Sequence, residues 1–197
     1  MNYPQYVKIN DKKYKINTDF RIAIRCNKIA EDEEIDGYEK SLAIIYLLFG
    51  DDGLNDKFNY EKLLELARKY LACGKEIKEE DNQKKDMDYI EDEGLIRSSF
   101  QFDYKYDPYD EEYVHWWKFY NDLSNLSNSE FGNCCVLNRV RNLRNMDLSE
   151  IKDEKTKNKI RKEKARVALK KEKRVVHKDF TEEEKRNMEE FYKQMGL

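Results

Sequence analysis

Residues Tyr113-Val-His-Trp-Trp-Lys-Phe-Tyr120 hold both tryptophans of the chain and constrain its fold more than any other stretch. Tyr113, Trp116, Trp117 and Tyr120 fall at helical spacing on one side, His115 and Phe119 lie beside them, and the apolar side continues to Leu123. Asp110 stands where an N-cap belongs, and Glu111 and Glu112 suit the positive end of a helix dipole, so the pattern predicts a helix over about 111–125. A helix aromatic around most of its circumference needs packing on several sides, by other helices or by a partner chain. Each buried ring contributes on the order of 2 kcal/mol of transfer free energy. The stretch is therefore expected at the centre of the core.

Charge limits how much else that core can contain. Of 197 residues 40% are charged and 39% hydrophobic, so a large part of the chain must be solvated; the 13% that are aromatic, with 14 Tyr and 9 Phe, argue for a folded protein. Seven Gly and two Pro are few for an all-β fold and suit helices joined by short loops. The expected class is mainly α (α+β with a small N-terminal β-hairpin), a helical bundle with an extended basic C-terminal helix. No apolar run approaches the roughly 20 residues of a membrane span, and the polar N-terminus lacks a signal-peptide core, so no membrane partner is expected and the protein should be cytosolic where it is made. Cys26 and Cys73 stand alone and Cys134-Cys135 are adjacent, which is not metal or redox spacing. Reduced, buried thiols are expected.

Along the chain, Tyr6–Ile9 and Lys13–Asn17 alternate apolar and polar around a short turn, predicting a hairpin. Three helices follow: from Asp19 to about Ala30 capped by Thr18, from Tyr38 to Phe49 stopped by Gly50-Asp-Asp-Gly53, and from Tyr60 to Cys73 capped by Asn59. Residues 1–74 thus form a hairpin plus three-helix unit. Residues 75–85, charged and almost without apolar side chains, read as a linker. A second, aromatic helical unit covers 86–146: a helix over about 87–104, the Trp helix, and a helix from Glu130 to about Leu143 that Ser127 or Ser129 can cap. Residues 147–197 contain the basic helix, with a narrow seam of Ile151, Ile160, Val167 and Val175, and a short helix opened by the capping box Thr181-Glu-Glu-Glu184.

Chemical motifs are sparse. His115 is the obvious general base, yet no nucleophile stands at readable spacing, and a histidine among aromatic residues is more often a packed core residue. Asp86, Asp88, Glu91, Asp92 and Glu93 lack the glycine-containing loop of a calcium site and point different ways on a helix, which favours a solvated acidic face. There is no phosphate-binding glycine loop and no nucleophile elbow. No catalytic residue, no metal ligand and no cofactor is assigned, and the protein is read as a non-enzyme. Charge is segregated: Glu76–Glu112 holds 14 acidic and 5 basic residues, Ile151–Lys178 13 basic and 4 acidic. The basic run could bind nucleic acid by charge density alone, but no recognition motif accompanies it, so nucleic acid is not an expected partner and nucleic-acid binding through the basic helix is the reading of lowest rank.

The spacing Asp92-x3-Ile96-x3-Phe100-x3-Tyr104-x2-Asp107 followed by His115-Trp-Trp-Lys-Phe119 resembles the gene-product-fifteen family of tailed phages and prophages of Gram-positive bacteria. The hairpin and helices before it, Arg144-Asn-Met-Asp-Leu148 entering a lysine-rich helix, and the capped C-terminal helix are similar in order. The turn Asp107-Pro108-Tyr109 departs from the family, which usually has an aliphatic residue and Leu there. The resemblance implies a tail assembly chaperone that binds the tape measure protein during tail morphogenesis, acting in the host cytoplasm and absent from the mature virion. A structural tail or neck protein of the virion is the alternative. Candidate binding residues are Tyr113, Trp116, Trp117, Phe119 and Tyr120, with Met188, Phe191, Tyr192 and Met195 in the tail. A homo-oligomer or co-assembly with a related chaperone is expected, the basic segment and tail docking on a neighbouring copy or on the client and the acidic 76–112 region serving as counterpart.

Overall fold

A computed structural model describes residues 3–75, 85–128 and 134–170. Its first element is the hairpin: β1 (Tyr6–Ile9) pairs antiparallel with β2 (Lys12–Lys15), Ile9 opposite Lys12 and Tyr6 opposite Lys15. Asn10 takes the turn with φ +52°, a conformation asparagine tolerates better than most side chains. Ile9, Tyr14 and Ile16 are buried. The hairpin lies on the second helix, and the Asn17 N–H donates to the Leu48 carbonyl at 2.7 Å.

Helix α1 (Phe20–Glu31) begins one residue later than its sequence suggests, because Asp19, not Thr18, accepts from the Arg21 N–H at 2.8 Å. Thr18 is occupied elsewhere, its hydroxyl 2.6 Å from that of Tyr113. Helix α2 (Gly37–Leu54) is capped by Asp36 and does not stop at Gly50: that glycine, at φ +63° and ψ −156°, kinks the helix, which then resumes for one turn. A 3-10 turn at Lys57–Asn59 leads into α3 (Tyr60–Leu71), displacing Asn59 from the capping role expected of it. Helices α1, α2 and α3 pack on one another in sequence.

The second half departs more from the sequence pattern. Helix α4 (Glu93–Tyr104) starts late because Met87–Asp92 is a turn held by carboxylates: Asp88 Oδ1 accepts from the Ile90 and Glu91 N–H groups and Asp92 Oδ2 from that of Asp88. Helix α5 (Trp116–Ser124) likewise begins five residues after the position read from Asp110. Residues before it are extended against the first unit. Phe20 N–H donates to the Val114 carbonyl at 3.0 Å and Trp116 N–H to that of Thr18 at 2.7 Å, a β-bridge centred on Asp19 and His115. Helix α6 (Val136–Asn145) is capped by Cys135, whose Sγ accepts from the Asn138 N–H at 3.5 Å; the start expected at Glu130, with Phe131, lies outside the described residues. Helix α7 (Glu154–Val167), the basic helix, has no buried residue and packs on α6. The fold is mainly helical with one small antiparallel hairpin.

One cluster of buried side chains runs from Ile9 to Leu137, so both expected units contribute to it. Phe119 is at its centre, stacked on Phe20 at 4.4 Å and on Phe100 at 5.3 Å between ring centroids, with Trp116 at 6.0 Å and the edge of Tyr109 at 6.4 Å. Replacing it with alanine removes ring surface from α1, α4 and α5 together. Phe119→Ala is expected to destabilise the fold by about 3–5 kcal/mol in denaturant unfolding, and Phe119→Leu by clearly less. Equal losses for the two variants would show that the stacked ring itself, and not the volume it fills, carries the stabilisation.

An ion pair pins the other end of this half. Arg144 grips Asp92 with two hydrogen bonds, of 2.6 and 2.8 Å, and also donates to the Asp86 and Val167 carbonyls; the two side chains are 11% and 3% exposed. Asp92, expected on a solvated face, is thus a buried structural carboxylate. Its removal strands the guanidinium, so Asp92→Ala should cost about 3 kcal/mol, whereas Asp92→Leu combined with Arg144→Met should recover much of the loss in the same unfolding assay.

Candidate functional site

The aromatic stretch that leads into α5 commits most of its polar atoms to its own fold. His115 caps the helix: Nδ1 accepts from the Trp117 N–H at 3.0 Å while Nε2 lies 3.1 Å from the Pro4 carbonyl, which fixes the neutral tautomer with its proton on Nε2. Tyr3 stacks on the imidazole at 4.9 Å. Burial pushes the His115 pKa below its ordinary value, partly offset by the bond to Pro4. Both nitrogens are in use, which leaves the ring no capacity as a general base in this arrangement.

The two indoles close the end of α3. Trp116 Nε1 donates to the Leu71 carbonyl at 3.0 Å and Trp117 Nε1 to that of Tyr70 at 2.9 Å, while the Ala72 and Gly74 N–H groups take the Arg68 and Lys69 carbonyls. All four carbonyls that a helix leaves open at its end are satisfied. Gly74 is at φ +76°, and a Cβ there would meet the Trp117 ring at 3.3 Å, so only glycine suits the close approach of α3 and α5.

The candidate binding residues therefore divide. Trp116 and Phe119 are buried in the core and Trp117 is half-buried against α3. Tyr113 and Tyr120 reach the surface on two different grooves. Tyr113, half exposed, lines an open groove of about 770 Å³ that Tyr46 on α2 also lines, together with Ile16, Leu47, the Gly50 kink, Asp51 and Asp52. Tyr120, with Lys75 over its ring at 4.8 Å, lines a second groove of about 590 Å³ shared with Ile44 on α2, Leu64 and Leu71 on α3, and Tyr89. Sequence reasoning missed Tyr46 and Tyr89. Tyr46 lies in the most apolar helix of the chain, where an all-round apolar pattern conceals which side stays exposed; Tyr89 precedes α4 in a turn that reads as helix. Met188, Phe191, Tyr192 and Met195 lie outside the described residues.

Among the described residues no three His, Cys, Asp or Glu side chains are placed to hold a metal ion. The acidic candidates are engaged by cations: Asp86 by Arg141 at 3.2 Å, Asp88 by Lys85 at 2.8 Å, Asp92 by Arg144, and Glu93 by Arg97 at 3.5 Å. Glu91 accepts instead from the Lys170 N–H at 3.0 Å. Burial pushes the thiols of Cys26 and Cys73 up to about 12, so neither is a thiolate near neutral pH.

The state of His115 makes stability depend on pH. Its folded pKa lies below the unfolded value of about 6.5, so the unfolded chain binds the proton more readily, and stability falls as pH drops through that value. Urea unfolding at pH 7.5 and 5.5 should show this loss. His115→Asn keeps a side-chain acceptor at the cap and should be less stable at pH 7.5 but lose less on acidification; an equal loss in both proteins would assign the effect to other groups.

No curated protein and no solved structure is significantly similar to the chain. A family model does match, over residues 2–169, which takes in the hairpin, every described helix and both grooves. The chain belongs to the family described as Bacteriophage Gp15 protein, a family of phage structural or assembly proteins and not a known enzyme family.

Proposed function

We propose that this protein is a tail assembly chaperone, a non-enzymatic holder of the tape measure protein while the phage tail is built. The observation that carries the reading is the open groove lined by the half-exposed rings of Tyr46 and Tyr113 together with Ile16, Leu47, Leu48 and Phe49. Tyrosine offers large contact area with few rotatable bonds, and such a groove suits an amphipathic client helix that lays its apolar face against the rings. Family membership supplies the phage context. In this reading the protein acts in the host cytoplasm during assembly, co-assembles with a second copy or a related chaperone along a long client, and leaves before the virion is complete. Neither nucleic acid nor a membrane enters the reading. No described helix is long and apolar enough to cross a membrane.

Co-expression with the tape measure protein followed by affinity capture and sizing tests the partner. A stable complex is expected, and Tyr46→Ala should weaken capture about tenfold or more while leaving the melting temperature within a degree or two, because its ring is half solvated. Capture unaffected by Tyr46→Ala would place the client elsewhere. Mass spectrometry of purified virions separates chaperone from structural protein: the protein should be absent, and a stoichiometric amount would establish the tail or neck alternative.

A further inference from the structure

The second groove, between α2 and α3, has its own candidate occupant. Its residues Ile44, Leu64, Leu71, Tyr89 and Tyr120 give it a more apolar lining than the Tyr46–Tyr113 groove, and Glu31 is part of that lining. Glu31 also borders the cleft in which the described chain ends: Leu169 and Lys170 lie there beside Lys85, Asp88 and Glu91, and the Lys170 N–H donates to Glu91 Oε2 at 3.0 Å. The chain thus leaves the described structure in a cleft that shares Glu31 with this groove.

Charge and length agree with that position. Lys171, Lys173, Arg174 and Lys178 come next in sequence. The α1–α2 turn beside the cleft carries Glu31, Asp32, Glu33, Glu34 and Asp36, with no basic residue before Lys40. Beyond the basic run, Thr181–Met195 reads as a capped amphipathic segment with Met188, Phe191, Tyr192 and Met195 on one side. From Lys170 to Met188 the chain can extend on the order of 60 Å, ample for a groove whose α3 wall from Leu64 to Leu71 is about 10 Å long.

We propose that residues 179–197 occupy the α2–α3 groove of their own chain, guided by the basic run 171–178 against the acidic α1–α2 turn. Tethering makes the own chain the favoured occupant over a second copy, since a short linker holds the segment at an effective concentration on the order of millimolar. The groove of the full chain is then filled whether or not a client is bound, and the Tyr46–Tyr113 groove stays open.

Photo-crosslinking on the full chain tests this. A benzoylphenylalanine placed at Phe191, in an equal mixture of 15N-labelled and unlabelled protein, should yield crosslinks to α2 or α3 near Ile44 and Leu64, all within one isotope. Crosslinked peptides that mix isotopes would show a second copy as occupant and overturn the proposal, as would crosslinks elsewhere on the surface or none at all. Lys173→Glu with Arg174→Glu should cut the crosslink yield severalfold at low salt, and an unchanged yield would overturn the electrostatic guidance.

Discussion

Phe119 is where the two halves of this chain become one structure. Its ring stacks nearly parallel on both Phe20 of α1 and Phe100 of α4, at 20° and 16°, so residues from distant parts of the sequence meet on it. The backbone enforces the same meeting. Thr18–Phe20 and Val114–Trp116 exchange hydrogen bonds as a short antiparallel bridge, and this sets where α5 begins and hence where Phe119 points. Without the bridge the ring would have no reason to face α1. Without the ring the bridge, two hydrogen bonds at a net gain of about 1 kcal/mol each, would be marginal.

The same economy explains why the most chemically suggestive residues of the sequence do no chemistry here. A helix start needs an acceptor and a helix end needs donors. In this fold His115 supplies the first for α5, and Trp116 and Trp117 supply the second for α3. One dense tripeptide thereby closes two helices at their point of contact. Arg21 does comparable work in the loop before it, donating to the Tyr109 and Glu111 carbonyls at 3.1 and 2.7 Å, and Arg97 ties Asp107 and Asp110 to α4. The loop 105–115 is therefore held by side chains rather than by regular structure.

Local signals placed much of the fold. Alternation found the hairpin, and apolar periodicity with flanking polar caps found α1, α2 and α3 to within a few residues at most ends. Errors collected where a distant partner decides the local conformation. Asp110 and the glutamates after it resemble a helix start, but Val114 and Trp116 bond to residues some 95 positions earlier, and no pattern within the segment records that. Asp92 shows the same limit for charge: among neighbouring carboxylates it reads as solvated, and only Arg144, on α6, makes it a buried ion. Periodicity singled out the aromatic stretch, of which Trp116 and Phe119 are buried in the core. It had no means to separate rings that build the core, such as Phe119, from rings that line a groove, such as Tyr120.

A chain that is 40% charged can still build such a core because its aromatic residues are so often tyrosine. A phenylalanine at the core margin leaves its edge in water, whereas a tyrosine buries the ring and hands its hydroxyl to a polar neighbour. Tyr14 reaches Asp56 at 2.5 Å, Tyr104 the Asp122 carbonyl at 2.8 Å, Tyr106 the Asp122 carboxylate at 2.6 Å, and Tyr60 the Leu54 carbonyl. Asp56 in turn is held well below the usual carboxylate range by Lys12, Tyr14 and Asn59. The rings thus connect an apolar interior to a charged exterior, which lets a small core hold α1 to α6 with a highly polar surface. Tyr46 is an exception: among the described residues its hydroxyl has no partner, and its ring stands half in solvent in the groove that Tyr113 also lines. A half-exposed ring in the lining of a groove is where a partner's apolar surface would gain most.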